Sequence, residues 1–204
     1  DVRDKVALTN FILSFRPNYV VNLAAITTVA EASASPKESY DISFYGTLNV
    51  LEVLHENNFK GTFLYVSSSE VYGHPFEEKL PLLEDSTLSP MSPYAVGKIA
   101  AEYLCLEWEK RSDFNIVIAR PFTHIGPGQS DRFSVSSFSR QVAQIMRDNT
   151  APIIEVGNLD TTRDFTDVRD IVDAYWLLLK LNKKGIYNVC SGQEVSIRSV
   201  LKKI

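Results

Sequence analysis

This 204-residue chain has few of the residues that build staples, metal cages or nucleic-acid grips. Its two cysteines, Cys105 and Cys190, form no disulfide framework and no CxxC pair, so both are expected as reduced, buried thiols. His55, His74 and His124 stand apart without metal-ligand spacing, so no metal site is expected. No basic run is longer than a pair and the net charge is -4, which argues against nucleic acid as a partner. One or two arginines can still hold a small anion. No apolar run approaches the roughly 18 residues of a membrane span. The opening "DVRDKVALTN" has neither the basic nor the apolar region of a signal peptide. A cytoplasmic protein with no membrane partner is the expectation. Repeats, low-complexity tracts and linkers are also missing.

What the chain does have is a globular share of hydrophobic residues, 45%, arranged in a rhythm. "NYVVNLAA" (18–25), "GTFLYVSSS" (61–69) and "NIVIARPF" (115–122) read as buried strands. Helical patterns lie between them. One follows Pro36; the other opens with Ser92 as N-cap and Pro93 as first helical residue and runs to about Arg111. Apolar strands with helical crossovers imply a parallel sheet covered on both faces. Beyond Pro121 the rhythm changes. A polar helix near 134–148 and another near 168–181 alternate with the short segments "PIIEVGN", "RDFTDV" and "GIYNVCSG". The expected division is 1–130 for a partial dinucleotide-binding domain and 131–204 for a partial substrate lobe with interleaved elements of the first.

Tyr94 and Lys98, four residues apart on a helix, share a face. A lysine ammonium favours the phenolate, and so does a helix N-terminus. The pair could thus move a proton at an alcohol or ketone oxygen near neutral pH. The spacing is weak on its own, because a chain with nine tyrosines offers such a pair readily by chance. Ser67, Ser68 and Ser69 end a central strand, at the edge where open α/β sheets take ligands. A hydroxyl there can share a substrate oxygen with the tyrosine; turn-capping is the plainer reading of the same serines.

Seven segments then occur in order: "LAAITTV" (23–29), "GTLNVLEVL" (46–54), "VSSSEVYG" (66–73), "SPYAVGK" (92–98), "ARPFTHIGPGQ" (119–129), "RDFTDVRDIVDAY" (163–175) and "YNVCSG" (187–192). Together they resemble the extended short-chain dehydrogenase/reductase family of nucleotide-sugar enzymes. The resemblance covers nearly the whole chain. It implies an α/β, Rossmann-type doubly wound parallel sheet with part of a small C-terminal substrate lobe. It also implies NADP or NAD as cofactor, a nucleotide-sugar substrate and a homodimer built on the helices at 38–57 and 93–111.

By the same resemblance Tyr94 is the acid-base residue, Ser68 polarises the substrate carbonyl, and Lys98 holds the nicotinamide ribose and depresses the tyrosine pKa. Asp1, Val2, Leu23, Ala24, Ala25, Thr27, Pro121 and Phe122 border the cofactor. Ser69, Glu70, Thr123, His124, Gln129 and Arg163 face the substrate, with Arg163 on its diphosphate; an ion pair with Asp160 or Asp164 is the plainer reading of that arginine. Within the family the pattern favours reduction of the C4 ketone of GDP-4-keto-6-deoxy-D-mannose. Glu70, two places after Ser68, also suits the elimination chemistry of GDP-mannose 4,6-dehydratases, which keeps that reading open. A non-catalytic nucleotide-binding or dimerisation module is the third.

Three departures stand out. The family's glycine-rich GxxGxxG turn, which receives the pyrophosphate, is missing together with the first βαβ unit. The chain therefore reads as part of a longer enzyme, weak in dinucleotide binding and inactive by itself. Ser43 and Thr123 stand where the family often has Asn.

Overall fold

The computed structural model describes residues 1–74 and 80–204, so Pro75–Lys79 of the loop before Tyr94 lie outside the described residues. Two compact units emerge: Asp1–Pro121 with Ala174–Val189, and Phe122–Asp173 with Cys190–Ile204. The sequence rhythm places the change at 130; packing changes over at Pro121.

The first unit is a four-stranded, all-parallel sheet in the order β1 (Tyr19–Asn22), β2 (Thr62–Val66), β3 (Asn115–Pro121), β6 (Gly185–Val189). Parallel neighbours need crossovers. The crossover from β1 to β2 is α2 (Val29–Ala34), α3 (Pro36–Tyr40), a π-turn at Asp41–Tyr45 and α4 (Gly46–Glu56). That from β2 to β3 carries α5 (Pro93–Glu109). Leu51 and Leu54 of α4 and Ala101, Cys105 and Trp108 of α5 pack on Phe63, Tyr65, Ile116 and Ile118 of the sheet. Alternate residues on the opposite face, Leu64 and Val117, are equally buried, so the central strands are covered on both sides as their apolar runs require.

The strands end earlier than the apolar runs suggest. β1 stops at Asn22 and β2 at Val66, because the residues beyond turn off the sheet edge. The helix α1 (Lys5–Phe15) has no clean amphipathic period and was not expected. Asp4 caps it by accepting from the Ala7 N–H at 2.9 Å, while Leu8 and Ile12 touch the core. Ser92 caps α5 as the sequence predicts, accepting from Ala95 N at 3.1 Å, with Pro93 in the first turn.

The π-turn presses against α5. A Cβ added to Gly97 would lie 3.2 Å from the Ser43 Cβ. Ser43 is fully buried, and its carbonyl accepts the Thr47 hydroxyl at 2.6 Å.

The second unit holds β4 (Thr123–Ile125) parallel to β5 (Thr162–Asp167), which pairs antiparallel with β7 (Glu194–Ser196). It also holds α6 (Ser134–Asp148) and α8 (Ile197–Leu201); α7 (Val168–Lys180) begins here and ends in the first unit. No strand forms over 152–158. The Gln141 side-chain amide takes the strand partner's place, accepting from Glu155 N at 2.7 Å and donating to its carbonyl at 3.1 Å. Cys105 is buried as expected, whereas Cys190 is exposed, because it leaves the sheet just past Val189.

Candidate active site

Every strand of the first unit points the same way, so the segments after β1, β2 and β3 emerge on one edge. That register gathers Leu23–Thr27, Ser67–Glu70 and Pro121 of the sequence-derived site at the carboxyl ends of the strands. Ala24 N donates to the buried Asn22 side chain at 3.1 Å, which fixes the turn off β1. Leu23 and Thr27 are exposed. Asp1 is clamped by Arg3, with a 2.6 Å ion pair, and the Val2 carbonyl accepts from Asn49 Nδ2 at 3.0 Å.

After β2 the chain makes one 3₁₀ turn, Ser69–Tyr72. Ser68 caps it: its Oγ accepts from Glu70 N at 3.2 Å, and it lies close enough to Tyr94 to act on the phenol. Ser67 is 2% exposed and its Oγ has no partner among the described residues. Ser69 is half-buried and the Glu70 side chain exposed.

Lys98 lies one helical turn after Tyr94, on the buried face of α5. Its Nζ donates to the Val66 carbonyl at 2.6 Å and sits 5.8 Å from the Tyr94 ring centre. Burial pulls its pKa down from the usual lysine range to about 8, with the Glu102 carboxylate opposing.

The expected depression of the tyrosine is reversed. Burial pushes the Tyr94 phenol up, the Ser68 hydroxyl opposes, and the Glu70 carboxylate adds to the rise. Desolvation is the largest cause, and Lys98, whose nearest bond goes to a carbonyl, does not offset it. Tyr94 therefore keeps its phenolic proton at neutral pH.

A buried network behind the site escaped the sequence reading. Glu102 of α5 and Arg120 of β3, each 2% exposed, form an ion pair at 2.7 Å with further N–H bonds at 3.0 and 3.2 Å. Arg120 also donates to the Tyr72 hydroxyl at 2.8 Å and to the Glu84 carbonyl at 2.9 Å. Tyr72 in turn donates to Asn188 of β6 at 2.7 Å. The signals were present: an arginine inside the apolar run of β3, and a glutamate one turn past Lys98.

In the second unit, Thr123 and His124 pair with Phe165 and Thr166 across β4 and β5. His124 Nδ1 lies 2.9 Å from the Phe122 carbonyl, and Gln129 Nε2 donates to the His124 carbonyl at 3.0 Å. Arg163 is exposed and donates to the Thr162 carbonyl at 2.7 Å. Neither acid takes it: Asp160 pairs with Arg198, and Asp164 accepts from Ser191 and Gly192.

Among the described residues no group of acidic, cysteine or histidine side chains is arranged to hold a metal, and no helix is long and apolar enough to cross a membrane.

Residues 1–204 match the family described as GDP-mannose 4,6 dehydratase. The chain is 46% identical over 187 residues to a GDP-6-deoxy-D-mannose reductase of Pseudomonas aeruginosa, covering 91% of this chain and 62% of the relative. It is 26% identical to a GDP-mannose 4,6-dehydratase of Yersinia enterocolitica over 204 residues, covering 99% of this chain and 54% of that one. A solved structure of RMD from Pseudomonas aeruginosa complexed with NADPH superposes with a TM-score of 0.95 at 43% identity, over 99% of this chain and 68% of that one. The fold is thus the Rossmann-type α/β fold expected, and the chain spans somewhat under two thirds of the curated relatives' length.

Proposed function

The chain belongs to the GDP-mannose 4,6 dehydratase family, and on that footing we propose that the whole protein reduces the C4 ketone of GDP-4-keto-6-deoxy-D-mannose with NADPH or NADH. One observation carries the choice of direction: the chain is 46% identical to a reductase and 26% to a dehydratase. Tyr94 agrees with it, because burial keeps its phenolic proton in place for a ketone oxygen to take.

The carboxyl edge of the first unit suits the nicotinamide half of a dinucleotide. Ala24 and Ala25 are small enough for a ligand to approach the backbone, Lys98 brings an amino group to the end of β2, and Ser67 Oγ is buried and unpartnered. When bound, the cofactor supplies the hydride. This chain's residues do the rest. Ser68 Oγ accepts from Glu70 N, which fixes its hydroxyl beside Tyr94 for the substrate oxygen. Tyr94 gives that oxygen its proton, and Lys98 fixes the ribose hydroxyls. Pro121 and Phe122 border the nicotinamide, and Asp1, Val2, Leu23 and Thr27 border the rest of the cofactor. Ser69, Glu70, Thr123, His124 and Gln129 contact the sugar, and the Arg163 fork takes the diphosphate. The homodimer and the cytoplasmic setting belong to the same proposal. Exposed Tyr45, Val96 and Tyr103 beside and on the two helices support the dimer.

The test supplies full-length protein with the ketosugar and follows NADPH absorbance. Oxidation that disappears in Tyr94→Phe supports the assignment. Glu70 favours a second reading, because its carboxylate acts on Tyr94 from the position a dehydratase base would hold. Water loss from GDP-mannose with no NADPH oxidation would establish that reading instead.

A further inference from the structure

Lys98 is a cation 2% exposed, and Val66 offers it only a neutral carbonyl, at 2.6 Å. A buried ammonium with no counter-charge is costly. The groups facing it can be named element by element. From β2 come the Tyr65 ring, 5.2 Å from Nζ, and the Val66 carbonyl. From α5 come Tyr94, Cys105 and Glu102. Arg120 of β3 acts through Glu102. Glu102 carries the one formal negative charge in this set. It sits one helical turn from Lys98 on the same buried face, where i and i+4 side chains are neighbours. Three N–H bonds from Arg120 hold its carboxylate in one orientation.

We propose that Glu102 is a positioning residue for the reaction, the fixed counter-charge against which the Lys98 ammonium is held, with Arg120 as the clamp that fixes it. The inference rests on the proposed reductase chemistry but is separable from it. Arg120 alone would repel Lys98; paired with Glu102 it leaves a dipole whose negative end lies on α5. The same guanidinium ties the 3₁₀ turn through Tyr72 and the chain leading to Tyr94 through the Glu84 carbonyl. The clamp therefore bears on both segments that carry the proton-transfer groups.

The test compares Glu102→Gln, Glu102→Asp and wild type in the full-length protein. In wild type, kcat/KM for ketone reduction should fall as pH rises through about 8, where Lys98 loses its proton. In Glu102→Gln that alkaline limb should move down by roughly one pH unit, because burial then acts with less opposition. Glu102→Asp should restore most of the shift. An unmoved limb in folded Glu102→Gln, with activity reduced equally at every pH, would assign the pair a purely structural role and overturn the proposal. If Glu102→Gln does not fold, the double variant Glu102→Met/Arg120→Met removes both charges together, and its limb should still lie below that of wild type. A ¹⁵N NMR titration of the lysine Nζ, assigned with Lys98→Arg, reads the same midpoint without turnover. Absence of ketosugar reduction would thus sink the reductase reading alone, while an unchanged Nζ midpoint would sink this inference alone.

Discussion

The residues proposed for proton transfer in the first unit and those proposed for recognition in the second are held by different means. Lys98, Glu102 and Arg120 are each 2% exposed, and their partners lie 18 to 48 residues away in the chain. The side-chain bonds of His124, Gln129 and Arg163 reach only 1 to 7 residues and leave these groups partly or fully open to solvent. Proton transfer demands a geometry fixed to fractions of an ångström, which long-range burial supplies. A diphosphate is recognised by charge and donors that can adjust as it arrives, which exposure permits.

Mutations should separate the two regimes. The largest effect is expected from Tyr94→Phe, with kcat lowered about a hundred- to ten-thousand-fold and the urea midpoint nearly unchanged. Next comes Arg120→Ala, which strands the Glu102 carboxylate and should cost about 3–5 kcal/mol by urea unfolding. Adding Glu102→Met to Arg120→Met should recover much of that loss, since two apolar side chains can replace a buried pair. Arg163→Ala should raise KM for the GDP-sugar about tenfold or more, with kcat and stability little changed. A fall in stability there would mean the second unit is built like the first. The smallest effect is Ser92→Ala, where losing the cap of α5 should cost about 1 kcal/mol.

The placement of much of the candidate site was legible because its groups sit where local rules place them. A serine cluster ends a strand; a Ser-Pro pair opens the helix that carries Tyr94 and Lys98. The Glu102–Arg120 pair was not legible as a pair, since α5 and β3 meet only once the sheet has formed. The direction of the Tyr94 shift was misjudged for a related reason. Sequence shows a neighbouring lysine but not the burial that is the largest cause of the shift. The helix α1 was hidden by its weak amphipathic period, and what holds 152–158, a glutamine side chain bonded to the Glu155 backbone, is not a pattern that sequence displays.

The close approach of Gly97 to Ser43 has a consequence for how this sequence can vary. Three residues separate Tyr94 from Lys98, and they are under unequal constraint. Ala95 has no exposed surface, Val96 is 39% exposed, and Gly97 has the π-turn lying against it. In a library randomised over 95–97, survivors should be diverse at 96 and narrow to small residues at 95. At 97 they should be almost all glycine, with alanine admitted only where Ser43 can recede by a few tenths of an ångström.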